Sequence, residues 1–356
     1  MIFDGEFSYK TILITGGTGT FAHAILRRLL ASDEDIVIRL LSRDEYKQHL
    51  MLTEFSDPRV RFFLGDVRDL SRLHTACAGV DLVIHAAALK RIERGEYDGE
   101  DFLKTNVLGT MNVIHACHTM GVRQALFLGT DKSCQPINLY GATKMLAERL
   151  WIQSNGYAPH GTRLGVCRYA NVMGSRGSVL EVWGDAMAQG RSLTLTDARM
   201  SRFWLSPAEA VDLVLWAATH GLRGGIAVPH LPAFLLTDLA RAMLPDSCTW
   251  HITGRRPGEK LAEDLMTDDE LSSAYWYGPS DVTPVHYIIP PAIQHWETPA
   301  IGTGWRQPPV PCLTGDVVDS PGPVVAYNSA TWPWRLTVQD LRAKLNTLGD
   351  AAHADR

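Results

Sequence analysis

Residues Thr11 to Ile14 are apolar and β-prone, they run straight into Gly16-Gly17-Thr18-Gly19-Thr20, and an amphipathic stretch from Phe21 to Leu30 follows. Strand, glycine turn and helix in that order limit what the rest of the chain can be. Glycines let the backbone approach a pyrophosphate, and the helix N-terminus supplies N–H donors and a positive dipole end. The pattern is G-G-x-G-x-x-A rather than a strict G-x-G-x-x-G. An ordinary glycine-rich turn is the alternative, against which stand the strand and helix on either side. The alternation continues, with strands expected at Ile36 to Leu41, Val60 to Leu64, Asp81 to Ala86, Ala125 to Leu128 and Leu164 to Tyr169. This spacing predicts an α/β fold, a Rossmann-type doubly wound parallel sheet over residues 1–170, with some later segments returning to it.

Beyond Asn171 the alternation loosens. Helices are expected at Val179 to Gln189, Pro207 to His220 and Thr237 to Met243, and residues 171–270 read as a smaller substrate lobe. Residues 271–356 read as a Pro- and aromatic-rich C-terminal arm, extended from Tyr275 to Trp334, closed by a helix from Thr337 to Leu348 with Thr337 as its N-cap. A formal charge of -5 and a pI near 6.2 offer no basic field for nucleic acid. Apolar runs such as Leu82 to Leu89 are too short to span a bilayer, and Asp4 and Glu6 stand where a signal peptide needs a basic start, so a cytoplasmic chain without a membrane partner is expected. Six cysteines, Cys77, Cys117, Cys134, Cys167, Cys248 and Cys312, form no C-x-x-C pair, which suits reduced thiols and no metal.

Several residues at the strand ends carry chemistry. Gly16, Thr18, Gly19, Thr20 and Phe21 are placed to bind a dinucleotide. Ser42 and Arg43, with Lys47 one turn on, replace the acidic residue that binds a free ribose 2′-hydroxyl, which favours NADP over NAD; a solvated Arg43 is the alternative. Asp66 and Val67 follow the third strand, where adenine lies, and Ala86, Ala87 and Ala88 follow the fourth, beside the nicotinamide half. Tyr140 and Lys144, one helical turn apart, form the pair hydride chemistry needs: the lysine is expected to lower the phenol's pKa and grip the nicotinamide ribose. Thr130, Asp131 and Lys132 offer an acid and a base at the carboxyl edge of the sheet, or else a salt-bridged surface turn.

At these positions the chain resembles the C5-inverting UDP-N-acetylglucosamine 4,6-dehydratases, a family of extended short-chain dehydrogenases/reductases. The resemblance runs over nearly the whole chain, through Ile14 to Gly19, Ser42 to Glu45, Gly65 to Asp69, His85 to Lys90, Lys104 to Asn106, Thr130 to Lys132, Pro136 to Lys144, Arg168 to Val179, Thr196 to Trp204 and Arg256 to Lys260. It implies a nucleotide-sugar substrate, with Tyr140 as base at the C4 hydroxyl, Lys132, its pKa expected to be lowered by burial beside the oxidised nicotinamide, as base at C5 and Asp131 as acid at the C6 hydroxyl. It adds Tyr169, Asn171 and Val172 to the cofactor site. Lys90, Asn171, Ser178, Val179, Thr196, Met200, Arg202, Arg256 and Glu259 would line the sugar-nucleotide site, with a structural Arg256–Glu259 ion pair as the alternative. A homo-oligomer is expected. The chain departs from the family pattern at Arg91 to Asp98, Gly129, Ser133, Cys134 and Ala170, which bears on the identity of the sugar. A nucleotide-sugar 4-epimerase, a C5-retaining dehydratase and a non-catalytic NADPH-binding scaffold are the alternatives; Lys132 after Asp131 speaks against the first two, and the intact Thr130, Tyr140 and Lys144 against the third.

Overall fold

A computed structural model of the chain describes residues 7–32, 35–175, 177–244, 249–277, 285–291 and 327–354. The N-terminal Asp4 and Glu6, Cys248, Cys312 and most of the arm between residues 278 and 326 lie outside the described residues. Six parallel strands, Thr11–Thr15 (β1), Val37–Ser42 (β2), Val60–Leu64 (β3), Leu82–His85 (β4), Gln124–Leu128 (β5) and Arg163–Cys167 (β6), lie in the order β3-β2-β1-β4-β5-β6. Every residue of β4 and β5 is buried, the pattern of strands covered on both faces. The helix Thr20–Leu30 buries Ala22, Ile25, Leu26 and Leu29, one stripe at helical spacing, against this sheet.

Beyond β6 the sheet continues with Ile226–Pro229, parallel to β6, and then with His286–Ile289 and Tyr275–Tyr277, both antiparallel. The start of the C-terminal arm, which the sequence reads as extended and docking, therefore adds two strands to the sheet. A second apolar core holds Met173, Trp183, Leu193, Trp204, Phe234 and Leu239, and the last helix, Val338–Ala354, adds Leu341 to it. Thr337 caps that helix, its Oγ1 accepting from Asp340 N at 3.2 Å. The arm's Tyr327 and Trp332 are buried, and Tyr327–Asn328 pairs antiparallel with Asp264–Met266. No helix among the described residues is long and apolar enough to cross a membrane.

The expected sixth strand, Leu164 to Tyr169, ends instead at Cys167, because Arg168 turns inward. Its guanidinium donates to Glu148 Oε1 at 2.6 Å and to Glu270 Oε2 at 2.7 Å, joining the helix Leu139–Gln153 to the segment Thr267–Ser273. Arg168 and Glu148 are almost wholly buried. Removing one partner of a buried pair leaves an uncompensated charge, a loss of about 3–5 kcal/mol. Arg168→Ala is expected to lose that much in a urea unfolding titration.

Candidate active site

The strand order reverses between β1 and β4, which opens a crevice at the carboxyl ends of the strands. A cavity of about 1040 Å3 occupies it. Every residue assigned to the cofactor from the sequence, from Gly16 on the first turn to Val172 after β6, lines this one cavity. The first turn fits a dinucleotide by its backbone. Gly16 has φ 69°, and a Cβ there would stand 2.9 Å from Ala87 N; one on Gly17 would stand 2.8 Å from Leu40 Cβ. Gly19 is the N-cap and has no side chain to close the helix end, so the first-turn residues Thr20 and Phe21 meet the cavity directly. Thr105, part of the family-like run Lys104 to Asn106 but given no role there, also lines the cavity with a buried hydroxyl that has no hydrogen-bond partner among the described residues.

Arg43 and Lys47 stand at the β2 end of the cavity. Arg43 lies 3.6 Å from Asp66, and Lys47 lies 2.9 Å from Asp44, which caps the helix Glu45–Glu54. Burial works against the Asp66 carboxylate, but Arg68 and Arg43 outweigh it and hold the group below its ordinary range. Arg43 is thus a wall residue with an acidic neighbour, rather than a charge facing only water.

The chemistry-bearing loop follows β5. Asp131–Ser133 forms a single tight turn with Thr130 as its cap. Thr130 Oγ1 donates to Asp131 Oδ1 at 2.8 Å; Lys132 Nζ donates to the same oxygen at 3.0 Å and to Asn171 Oδ1 at 2.8 Å. Glu263 Oε1 lies 3.4 Å from that amine. Asp131 is 1% exposed, which excludes the surface-turn alternative; it lies behind the cavity wall, whereas Thr130 and Lys132 line the cavity. The helix carrying Tyr140 and Lys144 starts from Asn138, whose Oδ1 accepts from Gly141 N at 2.7 Å.

Two electrostatic expectations are corrected here. Burial disfavours the charge on Lys132, but Asp131 and Glu263 overcome it and hold the amine above its ordinary value, where the sequence reading expected it lowered. Lys144 shows the reverse. Burial brings it down to about 7 against the pull of Glu148; its Nζ donates to Leu128 O at 2.7 Å and lies 3.8 Å from the centre of the Phe127 ring. Burial likewise pushes the Tyr140 phenol up, and the groups that draw it down are Lys132 and a hydrogen bond with Thr130. The cation acting on the phenol is therefore Lys132, because Lys144 is turned to the β5 carbonyl.

The residues assigned to the sugar nucleotide divide. Lys90 and Asn171 line the cavity; Ser178, Val179, Thr196, Met200, Arg202, Arg256 and Glu259 do not. Met200 is fully buried beneath Thr196, whose hydroxyl lies 3.0 Å from its sulfur. Arg202 spends its guanidinium on the carbonyls of Ser201, Leu261 and Lys260 at 2.7, 3.1 and 3.1 Å. Arg256 pairs with Glu93 at 2.8 Å and Glu259 at 3.2 Å, so the ion-pair alternative is the arrangement present. Ser178 and Val179 stand at the start of the helix Val179–Ala188, with the Ser178 hydroxyl buried and unpartnered.

Among the departures from the family pattern, Gly129 and Ala170 line the cavity, whereas Ser133 and Cys134 face away from it. Ser133 Oγ donates to Thr130 O at 2.6 Å and Glu148 Oε2 at 3.1 Å, which ties the loop to the buried Arg168 group. A side chain at Gly129 would be crowded, its Cβ 3.1 Å from Glu148 Oε2 and 3.2 Å from Arg168 Cα. Glu96, in the charged segment, caps the Tyr140 helix by accepting from Leu139 N at 2.8 Å. The sequence reading also missed Glu263. Its one signal was position, three residues past Lys260, where the family-like run from Arg256 was taken to end.

The sequence profile of a family described as polysaccharide biosynthesis protein matches residues 12–280. The UDP-N-acetylglucosamine 4,6-dehydratase (inverting) of Campylobacter jejuni is 42% identical over 292 residues, covering 81% of this chain and 85% of its own length. A UDP-glucose 4-epimerase of Rickettsia akari is 41% identical over 293 residues, covering 79% and 86%. The X-ray structure of Pen from Bacillus thuringiensis superimposes with a TM-score of 0.82 at 30% identity, covering 96% of this chain and 98% of that one. With the glycine turn, the Tyr140–Lys144 helix, Thr130 and Lys132 gathered on one cavity, the chain belongs to the polysaccharide biosynthesis protein family of extended short-chain dehydrogenases/reductases, together with the inverting UDP-N-acetylglucosamine 4,6-dehydratases.

Proposed function

We propose that the chain is a nucleotide-sugar 4,6-dehydratase that inverts C5, with UDP-N-acetylglucosamine as substrate and a nicotinamide dinucleotide in the cavity. The observation that carries this reading is the hydrogen-bonded Asp131–Lys132 pair, both members acting on the Tyr140 phenol, with Lys132 and Tyr140 on the cavity. A nicotinamide dinucleotide, which Gly16, Thr20, Asp66, Ala87 and Lys144 would hold along the cavity, would supply the hydride acceptor for C4 and the hydride donor for C6. Tyr140 accepts the C4 hydroxyl proton. Lys132 passes a proton to Asp131 across their 3.0 Å bond, which leaves a neutral amine and a protonated carboxyl side by side. The amine then takes the C5 proton, made acidic by the C4 ketone, and the carboxyl protonates the departing C6 oxygen. A proton reaching C5 from the opposite face inverts the centre. Arg43 and Lys47 support the 2′-phosphorylated cofactor, NADP, as cations that could pair with its phosphate in place of Asp66 and Asp44. Assembly as a homo-oligomer belongs to the same reading.

The similarity to a 4-epimerase supports a second reading, in which chemistry stops at C4. Epimerisation at C4 needs a base for the C4 hydroxyl but no acid for C6, so Asp131 and Lys132 would have no task in it. Incubation with UDP-N-acetylglucosamine is expected to give a product lighter by one water, and denaturation of the purified protein is expected to release NADP. A product of unchanged mass with C4 inverted would favour the epimerase, and release of NAD alone would overturn the cofactor assignment.

A further inference from the structure

Lys132 is faced by charged and polar groups from several directions, all but Arg202 favouring its charge. Asp131 lies on its own turn, Asn171 follows β6, Tyr140 comes from the helix Leu139–Gln153, Arg202 from the strand Ser201–Phe203, and Glu263 from the segment after Lys260. Glu263 is 2% exposed and, like Asp131, does not line the cavity; its link to the cavity is Lys132 Nζ, 3.4 Å from its Oε1. Its backbone is pinned: the N–H donates to Ser329 Oγ at 2.9 Å, and the carbonyl accepts from Ser329 N at 2.9 Å. Its Oε2 is buried without a hydrogen-bond partner. Burial pushes the Glu263 carboxyl above its ordinary range, and Lys132, Arg202, 3.9 Å from Oε1, and Lys260 pull against it in favour of the charged form. A second buried carboxylate beside an amine that Asp131 already pairs is costly for stability alone. It becomes useful when Asp131 is protonated and no longer holds the amine by charge.

Resting on the dehydratase reading above, we propose that Glu263 is a positioning residue for the elimination. Its Oε1 keeps Lys132 in place while Asp131 carries a proton, and its charge offsets the one Lys132 gains with the C5 proton. In that step the C5–H bond breaks and its proton goes to Lys132 Nζ. The electron pair forms the C5=C6 double bond, the C6–O bond breaks, and the Asp131 proton leaves with that oxygen as water.

Glu263→Gln removes the charge at nearly constant volume. Competitive acetylation of the whole protein at mildly alkaline pH, read by peptide mass spectrometry against the exposed Lys10, is expected to label Lys132 roughly tenfold faster in the variant, one pKa unit of easier deprotonation. Glu263→Asp, with its carboxylate drawn back, is expected to fall between. With UDP-N-acetylglucosamine, C5 exchange and water loss should slow on the order of tenfold in Glu263→Gln at little change in KM, with part of the rate regained in Glu263→Asp. An unchanged Lys132 labelling ratio in both variants overturns the proposal, as does a defect confined to KM or to melting temperature. The labelling needs no turnover. If the unaltered chain dehydrates no nucleotide sugar, the dehydratase reading fails on that result, while the labelling ratio still decides whether Glu263 governs Lys132.

Discussion

Tyr140→Phe is expected to cut dehydration of UDP-N-acetylglucosamine on the order of a thousandfold, the scale of a lost general base, while the protein stays folded. Nothing can happen at C5 or C6 until C4 is a ketone, and that ketone cannot form unless the C4 hydroxyl loses its proton. The phenol starts from an unfavourable position, since burial pushes it up, and its correction comes from Lys132 and the Thr130 hydrogen bond. Phenylalanine keeps the ring contact with Phe102, whose centroid lies 6.4 Å from that of Tyr140, so packing survives. The measurement is product formation followed by mass spectrometry, with circular dichroism as the check on folding. Turnover within a few-fold of the unaltered protein would remove Tyr140 from the mechanism.

The cofactor wall was legible in the sequence because its residues are neighbours of strand ends. Once β1, β2, β4 and β5 are recognised as buried apolar runs, Gly16, Ser42, Ala86 and Thr130 fall at one edge of the sheet by topology alone. The residues placed by long-range packing were not legible in this way. Arg202, Arg256 and Glu259 carry the right charges for a sugar nucleotide, but the first is occupied by carbonyls of the 260–261 segment and the others by each other and Glu93. Glu263 reaches Lys132 only through the way the lobe folds back on the β5 loop. The charge states were hidden for the same reason. Tyr140 and Lys144 lie one helical turn apart, yet the Lys144 ammonium points to Leu128 O, and burial leaves it at about 7, partly neutral. Spacing names the pair; only the position of the carbonyl and the depth of burial say which lysine acts on the phenol.

Lys132→Ala is expected to separate the two halves of the reaction, because Tyr140 and the cavity remain while the base at C5 is gone. C4 oxidation should survive. Reduction of the bound sugar with borodeuteride should then return starting material carrying deuterium at C4, with loss of water reduced on the order of a thousandfold or more. Some slowing at C4 also follows, since Lys132 is the cation that draws the Tyr140 phenol down. The sign of the pH effect in the unaltered protein follows from the same charges. Asp131 and Glu263 hold Lys132 above its ordinary value, so the free amine is scarce at neutral pH unless its proton moves to Asp131. If the proton is shared inside the pair, their total charge does not change, and the elimination rate should vary little between pH 7 and 9, roughly the range over which an isolated amine base of high pKa would gain tenfold per pH unit. In heavy water the product should carry deuterium at C5 and none at C6 at early times, because the hydrogen that arrives at C6 is the one that left C4. Deuterium at C6 in the first turnover, or normal dehydration by Lys132→Ala, would show that the C5 base and the route of the C4 hydrogen are wrongly assigned.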